Sequence, residues 1–190
     1  YPVVFLEENI FPEGNTIKSI HIPASISNIC WNFNYTFTPF SGCDSLEKIT
    51  VDPDNPSYTA DENGVLYNKR MTDLYHYPAK SPLKRFSIPS SVNMVKKQAF
   101  INCVNLEEIF IPKSVSRISD DGDTHNYCPF ASCVNLKKIT VEEGNRYLSS
   151  DENGILYNAD KSVMYKVPPA FEAKEFTVPE TVLEISIGAF

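Results

Sequence analysis

A short pattern, apolar-x-x-apolar-x-apolar, recurs six times along this chain and constrains its fold more than any other feature. It reads Ile17-Ile20-Ile22, Leu46-Ile49-Val51, Leu83-Phe86-Ile88, Leu106-Ile109-Ile111, Leu136-Ile139-Val141 and Ala173-Phe176-Val178, with starts 29, 37, 23, 30 and 37 residues apart. Four copies run directly into proline, at Pro23, Pro89, Pro112 and Pro179. Each copy reads as a short strand whose last two apolar positions point inward. Proline has no N–H for a ladder and stops the strand there. A second apolar pair follows, such as Val92/Val95, Val115/Ile118 and Val182/Ile185. One such turn cannot bury its apolar face alone, so neighbouring turns must stack into a continuous core. The long connections between copies exclude tight hairpins and place successive strands parallel.

A longer period overlies the short one. Residues 37–100 compared with 127–190, at a fixed offset of 90, share 24 identities in 64 positions. They include Asp61-Glu62-Asn63-Gly64 against Asp151-Glu152-Asn153-Gly154, and Leu66-Tyr67-Asn68 against Leu156-Tyr157-Asn158. Asn-Gly between β-forming residues is a strong hairpin signal. Two inserted hairpins are therefore expected, near 52–82 and 142–172, extending into three-stranded meanders through Leu74-Tyr75 and Met164-Tyr165. Three stacking steps place them on the same side, about 14 Å apart.

The chain's 190 residues suit one domain, with 42% hydrophobic and 22% charged residues. No apolar run reaches the roughly 18 residues of a membrane-spanning helix. The net charge of −7 argues against nucleic acid as a partner. Three of the five cysteines share one frame: Phe40-x-x-Cys43-x-x-Leu46, Phe100-x-x-Cys103-x-x-Leu106 and Phe130-x-x-Cys133-x-x-Leu136. A thiol spaced between apolar residues in this way is a small buried hydrophobe. These cysteines are expected reduced, with the parallel directions of Cys103 and Cys133 unfavourable to a disulfide.

Chemistry-bearing motifs are sparse. His21, His76 and His125 form no constellation, no G-x-S-x-G occurs, and no glycine-rich phosphate loop is present. Glu62 and Glu152 lie too many stacking steps apart for a glycosidase pair. The acidic run Asp120-Asp121-Gly122-Asp123 could attract a hard cation, but lacks a calcium-loop pattern and reads as a solvated loop. Tyr67, Tyr75, Tyr77, Tyr157 and Tyr165 cluster in the hairpin turns. They either form an aromatic platform for sugars or, the preferred reading, pack across their own strands. No metal, cofactor or catalytic residue is expected.

The motifs I-P-x-S-V, A-F-x-x-C-x-x-L and L-x-x-I-x-I-P stand here as Ile22-Pro23-Ala24-Ser25-Ile26, Ile111-Pro112-Lys113-Ser114-Val115 and Ala99-Phe100-Ile101-Asn102-Cys103-Val104-Asn105-Leu106. As a set they resemble the BspA-like leucine-rich repeats of bacterial and protozoan surface proteins. The resemblance spans residues 16–190 and leaves 1–15 as an N-terminal cap or the end of a preceding repeat. It implies an α/β class dominated by β-structure: a right-handed solenoid with one parallel sheet of about six short strands. Helix would be confined to single turns near Phe40, Phe100 and Phe130. It also implies an exported, extracellular or cell-surface chain that is a piece of something longer or ends in an atypical cap. The resulting expectation is a non-enzymatic adhesion or binding module for a protein or glycan ligand, with a structural spacer as the alternative and an enzyme third. Solenoids present extended exposed surfaces on their sheets. Strand positions between the inward residues give His21, Thr50, Ser87, Phe110, Thr140 and Thr177, and the adjoining row contributes Arg85, Glu108 and Lys138 as candidate ligand contacts.

Overall fold

The computed structural model describes residues 5–6, 10–12, 14–29, 39–118 and 129–190. Among them the chain is built from short strands. The first eight are β1 (Phe5–Leu6), β2 (Ser19–Ile22), β3 (Asn28–Ile29), β4 (Lys48–Val51), β5 (Tyr58–Ala60), β6 (Leu66–Asn68), β7 (Asp73–His76) and β8 (Arg85–Ser87). They continue as β9 (Met94–Val95), β10 (Glu108–Ile111), β11 (Arg117–Ile118), β12 (Lys138–Val141), β13 (Leu148–Ser150), β14 (Leu156–Asn158), β15 (Val163–Lys166) and β16 (Glu184–Ile185).

Five of the six apolar repeats form these strands in parallel register. In β2 the residues alternate outward and inward, with Ile20 and Ile22 buried and Ser19 and His21 exposed. Ile109 of β10 pairs with Phe86 of β8 and Ile139 of β12, so identical positions stack turn over turn. Leu46, Leu106 and Leu136, and Ile49, Ile109 and Ile139, are all essentially inaccessible to solvent. Full burial of each such side chain contributes about 1.5–3 kcal/mol. The second apolar pair of the turn makes a second parallel ladder, in which β9 lies between β7 and β11.

Four expectations need correction. The parallel row is not one six-stranded sheet: β2 pairs with β4, while β8, β10 and β12 form a separate ladder. The first insert causes the break. Its Asp61–Gly64 turn folds back on β4, and the Ile49 N–H donates to the Gly64 carbonyl at 3.1 Å. That edge is then unavailable to β8. The second insert does the same to β12, where the Ile139 N–H donates to the Gly154 carbonyl at 3.1 Å. The sixth repeat, Ala173 to Val178, follows this turn and forms no strand.

The inserts themselves are antiparallel meanders, β5–β6–β7 and β13–β14–β15, as their Asn-Gly turns predict. They do not project as separate hairpins. Their last strands pair in parallel with the next turn, β7 beside β9 in the second ladder and β15 beside β16 in a separate four-stranded sheet.

Helix is absent among the described residues, so the α component of the expected class is not observed. The segments around Phe40, Phe100 and Phe130 are single hydrogen-bonded turns, such as the Cys43 N–H to the Phe40 carbonyl at 2.9 Å. Asn102 and Ser132 adopt left-handed φ of 58° within the later two segments. That conformation ends a right-handed turn before it can propagate.

Cys43, Cys103 and Cys133 are free and buried. The Cys133 thiol donates to the Phe100 carbonyl at 2.9 Å, and burial pushes the Cys103 thiol well above its ordinary pKa. Native protein at pH 8 is therefore expected to label slowly at all three sites in peptide-resolved alkylation, because all three are buried and burial also disfavours the reactive thiolate of Cys43 and Cys103. Rapid modification of Cys103 or Cys133 before unfolding would contradict this packing.

Candidate binding face

The outward positions of the parallel strands are set by the two-residue period and by the apolar residues that must face inward. The register brings Ser87, Phe110 and Thr140 side by side across β8, β10 and β12. Phe110 is 37% exposed, with small polar residues on either side. Beside this row lie Arg85, Glu108 and Lys138, also in register. Arg85 Nε and Glu108 Oε2 are 3.2 Å apart, an opposite-charge pair across adjacent strands. Lys138 is exposed.

His21 and Thr50 are neighbours in the other ladder, with Nδ1 and Oγ1 3.0 Å apart. The break between β4 and β8 leaves them outside the Phe110 row. Thr177 is exposed but lies in the unpaired sixth repeat, so the ordered row ends at Thr140. Six of the nine candidate residues thus share one ladder, two share another, and Thr177 belongs to neither.

A charged row that the sequence pattern did not single out borders this face. The Glu107 carboxylate accepts from Lys84 and from Lys137, both at 2.8 Å. These two ammonium groups, Lys137 first, pull the Glu107 carboxyl down to about 2. The triad lies one residue before the strands, where period-two reasoning assigns no side. It sets positive, negative and positive charge side by side across three successive turns.

Asparagines also went unrecognised. Asn55 is fully buried and makes four hydrogen bonds to backbone. Its Nδ2 donates to the carbonyls of Pro23 at 2.8 Å and Ile26 at 2.9 Å, in the preceding turn. Its Oδ1 accepts from the N–H groups of Ser57 at 2.9 Å and Tyr58 at 2.8 Å. Asn145 repeats the arrangement with Pro112, Val115, Tyr147 and Leu148. Their identity at the 90-residue offset was the available signal.

The tyrosine platform does not exist as a surface. Tyr67, Tyr77 and Tyr157 are buried. The Tyr67 hydroxyl donates to Asp61 Oδ2 at 3.1 Å, and the Tyr157 hydroxyl to Asp151 Oδ2 at 3.3 Å. Burial, with the nearby carboxylate, pushes the Tyr157 phenol up to about 12. Tyr58 and Tyr75 meet edge to face at 5.4 Å, so these rings pack against their own neighbours. Asp120–Asp123 and His125 lie outside the described residues.

Residues 68–128 match the family described as BspA type leucine-rich repeat region, in six copies. Two solved structures have the same architecture. A leucine rich cell surface protein from Faecalibacterium prausnitzii A2-165 is 27% identical at a TM-score of 0.56, over 97% of this chain and 51% of its own. The pneumococcal vaccine antigen PcpA is 18% identical at a TM-score of 0.56, over 90% of this chain and 35% of its own. The chain therefore spans about a third to a half of the length of these two structures. Among curated protein sequences there is no match.

Proposed function

Because this chain carries BspA-type leucine-rich repeats, we propose that it is a binding module of a bacterial cell-surface protein, and that the β8–β10–β12 face receives an extracellular protein or glycan ligand. The observation that carries this reading is Phe110. It is an aromatic ring held in solvent on a parallel ladder, between Ser87 and Thr140. Aromatic side chains contribute large contact area at little entropic cost, and they dominate binding energies at protein surfaces. A planar ring bordered by small hydroxyl residues suits a sugar face or a polar peptide. The surface location is supported by the cell-surface protein of similar structure, and the binding role by the BspA-type repeat match. The six-residue cluster of Arg85, Ser87, Glu108, Phe110, Lys138 and Thr140 forms the centre of the proposed site. His21 and Thr50 would supply a separate, peripheral contact.

A screen against glycans and host extracellular proteins, followed by affinity measurements on variants, tests the assignment. Phe110→Ala is expected to weaken a specific ligand about tenfold or more, as loss of a central aromatic anchor does. Arg85→Ala should change affinity by no more than a few fold, because exposed ion pairs contribute little. Binding unchanged by both substitutions would move the site off this face. Absence of any binding would favour the spacer reading.

A further inference from the structure

We propose that the joint around His76 is an acid-sensitive latch, which holds the N-terminal turns onto the central ones while the imidazole is neutral and releases them when it is protonated. One position recurs in every turn, just before the core ring or its replacement. Pro39, Ala99 and Pro129 fill it with small side chains before the buried Phe40, Phe100 and Phe130, and Ala189 does so before the exposed Phe190. Backbone bonds align these positions: the Tyr77 N–H donates to the Ala99 carbonyl at 2.7 Å, and the Phe100 N–H to the Pro129 carbonyl at 2.9 Å. The two inserts place large polar residues here instead, His76 and Lys166.

Their circumstances differ. Lys166 is 4% exposed, and its ammonium donates to the Gly188 carbonyl at 2.8 Å. His76 is 1% exposed, and neither ring nitrogen has a hydrogen-bond partner. Its ring instead lies 5.0 Å from that of Phe40, tilted by 38°. A buried polar group without a partner is costly, and a charged one more so.

The place matters as much as the group. Phe40 belongs to the N-terminal core with Ile20, Ile22, Leu46 and Ile49. The residue after His76, Tyr77, belongs to the central core and packs against Phe86 at 4.9 Å and Phe100 at 5.2 Å. His76 therefore sits at the seam between two cores.

Titratable groups around the seam are committed elsewhere. On the Phe40 turn, Asp44 accepts from the Asn102 amide, and Cys43 is buried as a thiol. On β5 and β6, the Tyr58 hydroxyl accepts from the Ile29 N–H, and Tyr67 donates to Asp61. On its own strand Asp73 pairs with Lys96 of the next turn, and Tyr75 meets Tyr58 edge to face. Tyr77 donates to Ser81, and Ser41 bonds Gln98 across the same seam. Among the described residues, no carboxylate stands by to accept a hydrogen bond from the protonated ring. Burial alone lowers the imidazole to about 3.

The sign follows from linkage. An opened or unfolded histidine titrates near 6.5. Between that pH and about 3, the opened form binds a proton that the closed form refuses. The stabilisation is complete above about 6.5 and is lost progressively on acidification. Each pH unit below 6.5 favours opening about tenfold, or about thirtyfold by pH 5. The turns carrying His21 and Thr50 would loosen first, while the Phe110 ladder stays closed.

Hydrogen exchange at pH 7 and pH 5, corrected for intrinsic rates, tests this on the whole chain. Peptides covering 39–51 and 66–77 should lose about thirtyfold in protection, and peptides covering 106–118 much less. His76→Leu should remove that difference between the two pH values. Titration of the wild-type imidazole by NMR provides the second measurement should His76→Leu fail to fold. A ring that stays neutral until the seam opens supports the latch. An imidazole titrating near 6.5 in the closed protein overturns it. So does an unchanged pH response in His76→Leu, or equal loss of protection at the seam and in 106–118.

Discussion

Replacing Gly64 with alanine is expected to lower the melting temperature by about 10 °C, at a cost of about 3–5 kcal/mol. Two causes combine. Gly64 has φ +76°, a region where an L side chain costs about 1–2 kcal/mol. A Cβ there would also lie 2.6 Å from Lys48 Cγ and 2.9 Å from both Lys48 Cα and the Ile49 nitrogen. Two of those three atoms are strand backbone and cannot swing away, so the turn must lift from β4. The buried bond between Ile49 and Gly64 is then lost, adding about 1–3 kcal/mol. Gly154 meets Lys138 and Ile139 in the same way, and Gly154→Ala should cost a similar amount. Gly144 provides the control: its φ is +84°, but nothing lies within 4 Å of an added Cβ. Gly144→Ala should cost only the conformational part, about 1–2 kcal/mol. Equal melting temperatures for Gly64→Ala and Gly144→Ala would show that the close approach of turn to strand is not what seals β4.

The second large effect is expected at Asn55, where alanine should cost about 3–5 kcal/mol in urea unfolding. Removing the amide leaves the carbonyls of Pro23 and Ile26 and the N–H groups of Ser57 and Tyr58 without their partner. The side chain is fully buried, so water cannot easily replace it. Asn55→Asp separates the two halves of the bond set, since it keeps an acceptor for Ser57 and Tyr58 and turns a carboxylate oxygen towards two carbonyls. It should be no better tolerated than alanine at pH 7. Asn145 makes the same four bonds but is half-buried, and Asn145→Ala should cost about half as much because solvent can compensate. A loss below 1 kcal/mol at Asn55 would remove the clamp from the account of how the turns are held.

Much of this molecule was legible before any coordinates. The positions of Ile20, Ile49, Ile109 and Ile139 followed from a repeated apolar spacing, since an alternating strand must bury one face. The meanders followed from Asn63-Gly64 and Asn153-Gly154, which mark chain reversals in the loops 61–65 and 151–155, where the glycine takes a positive φ. The buried thiols followed from their place between phenylalanine and leucine. Each is a local rule, decided by residues within a few positions of one another.

The candidate face was only partly legible. That Phe110 points outward was a matter of period. That Ser87 and Thr140 flank it was a matter of register between turns, which the constant spacing of the strand motif allowed. The break between Thr50 and Ser87 was not foreseeable from that spacing. It depends on where the insert's turn comes to rest, and Gly64 against Lys48 is a contact across 16 residues. The loss of Thr177 from the row has the same origin at Gly154. The asparagine clamps and the Lys84–Glu107–Lys137 triad are likewise contacts between turns.

What the sequence determined by itself is the repeating unit: which residues face inward, where each strand stops, and where the chain reverses. These follow from side-chain alternation, from proline's missing donor and from glycine's backbone freedom. What only the tertiary structure decided is which edges of those units meet. A strand edge offers the same backbone groups to any partner, so a turn held by Gly64 or Gly154 competes on equal chemical terms with the next strand. Position in space settles that competition, and it also sets His76 against Phe40 at the seam of two cores.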